Sequence, residues 1–160
     1  MKEAFSIRDI AVDPPLVLAP MSGVTCAAFR RLIKRLNPGA VGLVVTEFLS
    51  VEGMTRDSRR TFEMMRFYEE ERPIAVQIFG RDPRRMRDSA MMIQDAGADI
   101  VDVNCGCPAP KVVKKGGGCV LMRELPVLAE ILREIKSSLS IPLTMKMRSG
   151  WDSASVNALE

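Results

Sequence analysis

The chain has 160 residues, of which 47% are hydrophobic and 27% charged, and a net charge of +3, the composition of one soluble globular unit. That balance excludes a disordered chain and a strongly basic nucleic-acid binder. No apolar run approaches the about 18 residues that cross a bilayer, so a cytoplasmic protein with no membrane segment is expected. There is no histidine, which leaves cysteine, lysine and carboxylates for proton chemistry. Four cysteines are present, but Cys105 and Cys107 stand one residue apart, a spacing that suits neither a disulfide nor a zinc pair. Reduced thiols and no metal are expected.

Residues 16–21, LVLAPM, form a short apolar run that reads as a first strand. Thr25 is placed to cap a helix carrying Phe29, Leu32, Ile33 and Leu36, which Asn37-Pro38-Gly39 stops. A second strand covers residues 41–47, and the polar stretch over 55–72 is helical only in part. The third strand, residues 74–80, follows Pro73; the next helix turns Met86, Ala90, Ile93 and Gly97 to one face. The step at Gly97-Ala98 leads into a fourth strand over 98–103, which delivers Asn104-Cys105-Gly106-Cys107-Pro108. Glycine frees the backbone at this turn and proline fixes it, so the thiol of Cys107 is held at a defined angle. Lys114-Lys115-Gly116-Gly117-Gly118 reads as a flexible loop, a lid by composition. Then comes a helix with Pro126 near its start and Leu128, Ile131, Leu132 and Ile135 on its apolar face. The fifth strand covers 143–148, and Asp152 or Ser153 is expected to cap a further helix. Basic clusters such as Arg30-Arg31 and Lys34-Arg35 read as solvated helix faces, and only Lys114-Lys115 lies near the Cys107 turn.

Apolar strands alternating with amphipathic helices describe parallel βα units with both sheet faces covered. Five such units fit either a doubly wound sheet of the flavodoxin type or part of an eight-unit barrel of about 250 residues. Met21, Glu47, Gln77, Asn104 with Cys107, and Lys146 with Arg148 stand at or near the ends of the five strands. In a barrel those ends ring a single pocket. The expected fold is α/β, a partial (β/α)8 TIM barrel of about five of eight units, with residues 1–160 as its amino-terminal portion.

The stretches LAPMSGVT at 18–25, Thr46-Glu47, VQIFG at 76–80, DVNCGCP at 102–108 and KMRSGW at 146–151 occur together and in order. In these the chain resembles the tRNA-dihydrouridine synthases, flavoenzymes that reduce uridines of tRNA. The resemblance implies FMN as cofactor, NADPH as reductant and tRNA as partner, in a monomeric full-length protein with a carboxy-terminal helical domain. Hydride would pass from the flavin to C6 of uracil and a proton from Cys107 to C5. A thiol of ordinary pKa, about 8.5, is mostly protonated at pH 7 and can serve as a general acid. By the same resemblance Asn104 holds the uracil, while Pro20, Met21, Gln77, Lys146 and Arg148 contact the flavin. Glu47 matches too, although a local cap explains it equally well, as core packing explains Met21. Cys26 departs from the aspartate usual in that position. The alternatives are another FMN barrel that acts on a free pyrimidine and a half-barrel without catalysis.

Overall fold

The computed structural model describes residues 3–160 and begins with an element that no periodicity betrays. An antiparallel hairpin joins β1 (Phe5–Ile7) to β2 (Ile10–Val12), each too short to display an alternation. Then follow β3 (Val17–Leu18), α1 (Ala27–Leu36), β4 (Leu43–Val45), β5 (Leu49–Ser50), α2 (Val51–Met54) and α3 (Arg59–Met65). The second part of the chain is β6 (Ile74–Phe79), α4 (Pro83–Asp95), β7 (Ile100–Cys105), α5 (Pro110–Val113), α6 (Leu125–Ser138) and β8 (Leu143–Met147).

Strands β3, β4, β6, β7 and β8 are parallel and lie side by side in that order, with β5 added beside β6. Neighbours in space are therefore neighbours in sequence. A doubly wound sheet needs a point where the strand order reverses, and none occurs here, so the curled sheet is a half-barrel.

Strand register sorts the side chains between two faces. Val76, Val101 and Leu143 share a level, as do Ile78, Val103 and Met145. They pack with Met86, Ala90 and Ile93 of α4 and Leu128, Ile131 and Ile135 of α6 into one large core. Burying each such aliphatic side chain contributes about 1.5–3 kcal/mol, so this layer dominates the stability of the unit. On the opposite face Leu43, Val45, Ala75 and Ile100 form a smaller cluster. Val12, with Ile7 and Ile10, covers it, so the hairpin plugs one end of the curl. Further along the strands this face turns polar.

Two expected helix starts differ. Asp82 caps α4 by accepting from the Arg85 N–H at 2.9 Å, with Pro83 in the first turn. At α1, however, Cys26 occupies the cap position without a side-chain bond, because the Thr25 hydroxyl is engaged with Met21. The helix expected from Asp152 is absent. Asp152 Oδ1 instead accepts from Ser155 Oγ at 2.7 Å and the Ala154 N–H at 3.0 Å, a local turn that competes with helix. Gly150 and Val156 form a bridge across it. No helix among the described residues is long and apolar enough to cross a membrane.

Candidate active site

The polar part of the inner face is one connected hydrogen-bond chain. Gln77, Asp102 and Thr144 are register partners on β6, β7 and β8. Thr144 Oγ1 donates to Asp102 Oδ1 at 2.6 Å, and Gln77 Nε2 donates to Asp102 Oδ2 at 2.5 Å. One level higher, Asn104 Nδ2 donates to Gln77 Oε1 at 2.8 Å. Asn104 Oδ1 then accepts the backbone N–H groups of Cys107 at 3.0 Å and Gly106 at 3.3 Å. A ladder of side chains thus rises from mid-strand to the half-buried Cys107.

The turn is held from two other sides. Arg148, just past β8, donates from Nε to the Gly106 carbonyl at 2.8 Å. The Cys119 N–H donates to the Cys107 carbonyl at 3.1 Å. Gly118 adopts φ +62, and a side chain there would collide with that same carbonyl, so this position requires glycine. Gly117, Gly118 and Cys119 are buried, and residues 118–123 form a 3-10 turn against β7. The glycine segment expected as a loose lid is therefore packed against the Cys107 backbone and β7. Only its lysines face outward, Lys115 lying 3.5 Å from Glu52.

Burial separates the two cysteines of the motif. Cys105 lies at the opposite pleat, buried among the helices, and burial pushes its thiol up to about 12, with the Asp102 charge adding to the effect. At pH 8 only about one Cys105 thiol in 10⁴ is then ionised. Iodoacetamide is expected to label exposed Cys26 in the native protein and to spare Cys105, as peptide mapping can measure; equal labelling of the two would contradict this burial. All four cysteines are free.

Asp102 is 6% exposed. Burial raises its carboxyl pKa, opposed by the bonds from Thr144 and Gln77 and by the charge of Lys146. A carboxyl raised in this way stabilises the fold at low pH, and that contribution is lost as pH rises through its raised value. The ionised Asp102 is thus held at a cost.

The segment carrying Pro20 and Met21 is fastened by side chains from just past β4 and from the start of α1. Glu47 Oε1 accepts the Gly23 N–H at 2.5 Å, the local role that its strand-end position suggested. Thr25 Oγ1 accepts the Met21 N–H at 3.0 Å and donates to the Met21 carbonyl at 3.2 Å. Arg30 donates to the Thr25 carbonyl at 2.7 Å, to the Arg66 carbonyl at 2.8 Å and to Glu71 Oε2 at 2.6 Å. Arg30 and Glu71 are both fully buried, which corrects the reading of Arg30 as part of a solvated face. Met21 is 40% exposed, so core packing does not explain it.

Lys146 pairs in register with Asn104 and makes no ion pair among the described residues. Its side chain is exposed. The inner ladder thus brings Gln77, Asn104 and Cys107 together, with Lys146 alongside and Arg148 bracing the turn. Asp102, Thr144, Arg30 and Glu71 escaped the sequence reading. Asp102 carried a signal, a charged residue two positions before Asn104 in an otherwise apolar strand, which puts both on one face. Arg30 carried none. Among the described residues no group of three or more His, Cys, Asp or Glu is placed to hold a metal ion.

A half-barrel of βα units with a polar constellation toward one end of its inner face is a partial TIM barrel, a fold whose active sites lie at the C-terminal strand ends. The family model for dihydrouridine synthase (Dus) matches residues 17–160, and the chain belongs to that family. It is 40% identical over 153 residues to a probable tRNA-dihydrouridine synthase of Rickettsia bellii, covering 95% of this chain and 46% of that protein. It is 41% identical over 145 residues to tRNA-dihydrouridine synthase B of Pseudomonas putida, covering 90% and 42% respectively. A probable tRNA-dihydrouridine synthase of Rhodobacter capsulatus is 36% identical over 97% of the chain and 47% of its own length. The chain spans about half the length of these curated relatives.

Proposed function

We propose that the complete protein reduces uridine in tRNA to 5,6-dihydrouridine, with FMN as its flavin, NADPH as reductant and Cys107 as proton donor to C5. The observation that carries this reading is the ladder ending at Cys107: a half-buried thiol whose peptide N–H is anchored by Asn104 at the rim of the inner face. A proton donor must be aimed as well as available, and this anchor aims it.

The residues fit a flavin. Gln77 gives one N–H to Asp102 and keeps the other, and Lys146 offers a cation with no ion pair among the described residues. An amide and a cation suit the pyrimidine edge of an isoalloxazine, where negative charge gathers on reduction. Gln77, Lys146, Pro20 and Met21 would hold the ring, and Arg148 would border it. Bound FMN, once reduced by NADPH, supplies hydride to C6 of the uracil. Asn104 retains one amide N–H for a uracil carbonyl, since Gln77 takes the other. A uracil buried in a helical stem cannot reach this turn, so the base must be extruded from the tRNA. Such an enzyme works in the cytoplasm on folded tRNA.

The test is to express the complete protein, release and identify its chromophore, and supply NADPH with unmodified tRNA. FMN and dihydrouridine are the expected products; a colourless protein that leaves tRNA unchanged would overturn the reading. Within it, Lys146→Ala is expected to weaken flavin binding by about ten-fold or more, the scale of one lost hydrogen bond to a charged group. Fluorescence titration of the flavin measures this, and unchanged affinity would remove Lys146 from the flavin site.

A further inference from the structure

We infer that Asp102 is the positioning residue for the proton-donor turn, because its acceptor-only carboxylate sets the orientation of the Gln77 and Asn104 amides and, through them, the seat of Cys107. This rests on the assignment of Cys107 as proton donor.

Thr144 Oγ1 donates to one Asp102 oxygen and Gln77 Nε2 to the other, which turns Gln77 Oε1 upward. Asn104 must then give Nδ2 to Gln77, which turns Oδ1 toward the Cys107 and Gly106 N–H groups. The top of the ladder agrees with its root, because a backbone N–H can only donate. Each amide therefore has one orientation that satisfies every partner. Thr144 occupies the second carboxylate oxygen and blocks the other approach. Without the acceptor at the root, the two N–H donors at the top alone hold the orientation, and Gln77 Nε2 is left without its partner at the foot of the ladder. Asp102 is buried and lies near Lys146 and the Cys105 thiol, the charged and titratable groups that influence it.

The experiment uses the complete protein with two substitutions and one exchange. Asp102→Leu removes the acceptor at similar volume. Asp102→Asn combined with Gln77→Glu moves the carboxylate one step up the ladder: the amide introduced at position 102 then donates to the carboxylate introduced at position 77, and Asn104 still donates to that same position. Gln77→Glu alone faces one carboxylate with another. Alkylation of Cys107 in flavin-free protein, resolved by peptide mapping with Cys26 as internal standard, reads the seat of the thiol without using activity. A change of at least about five-fold is expected for Asp102→Leu and for Gln77→Glu, with the exchange variant within about two-fold of native. In the flavin-loaded protein Asp102→Leu should slow single-turnover uridine reduction by about 10–100-fold, the scale of a small misplacement. Native alkylation in Asp102→Leu would overturn the inference. If that variant does not fold, the exchange decides: alkylation no closer to native than in Gln77→Glu alone overturns it equally. Failure of the functional reading would appear instead in the unsubstituted protein, as tRNA left unmodified, and would leave the alkylation result standing.

Discussion

Replacing Cys107 with alanine in the complete protein is expected to slow uridine reduction by about 10²–10⁴-fold, the usual contribution of a positioned general acid. Reduction of the flavin by NADPH should proceed at its native rate. The two half-reactions would separate because, in the proposed role, Cys107 delivers a proton to the base and takes no part in passing electrons to the flavin. The peptide N–H that seats the thiol belongs to the backbone, so alanine keeps the bond to Asn104 and the turn survives the substitution. Stopped-flow absorbance follows the first half-reaction, and rapid-quench analysis of tRNA the second. Equal loss in both would remove Cys107 from the proton-donor role.

The second large effect concerns stability. Arg30→Met leaves the Glu71 carboxylate fully buried without its counter-ion, and removes the donor to the Thr25 and Arg66 carbonyls. Breaking a buried pair from one side costs about 3–5 kcal/mol, because an uncompensated charge stays behind. Glu71→Gln is expected to cost a similar amount, since it leaves the Arg30 guanidinium without its counter-ion and offers one acceptor oxygen where Glu71 serves two donors, Arg30 and the Tyr68 N–H. The double substitution should fall well short of the sum, as denaturant unfolding of the four proteins measures. Additive losses would mean that the two side chains do not act as a pair. The pair also lies behind the Met21 segment, through Thr25, so Arg30→Met should loosen flavin binding as well. By contrast the ion pairs of Glu70 with Arg31 and Arg35 are exposed and contribute little, although those two cations hold the Glu70 carboxyl down at about 2.

Much of the frame was legible because parallel strands buried on both faces leave almost uninterrupted apolar runs, as residues 74–79 and 100–105 do. Strand ends carried unusual residues in a fixed order, Gln77, Asn104, Cys107 and Lys146, and the structure joins the first three in one hydrogen-bonded ladder. What stayed hidden depended on direction and partner. Hairpin strands of three residues have no period to read. Thr25 could have capped α1, but the hydroxyl closes the Met21 turn instead, and a sequence does not say which of two nearby partners a hydroxyl prefers. Arg30 and Arg31 look alike in the chain; one helix step puts the first in the core and the second in solvent beside Tyr68. Asp152 ends in a turn where a helix was expected, for the same reason that makes aspartate a good cap: its carboxylate binds whatever backbone N–H comes first.

The central claim is that the turn at Cys107 serves the reduction of uracil in tRNA. Its most direct measurement is mass analysis of unmodified tRNA after incubation with the complete protein, FMN and NADPH. The expected result is a gain of two hydrogens at defined uridines, dependent on NADPH and lost with Cys107→Ala. Uridines left unchanged by flavin-loaded, NADPH-reduced protein would contradict it.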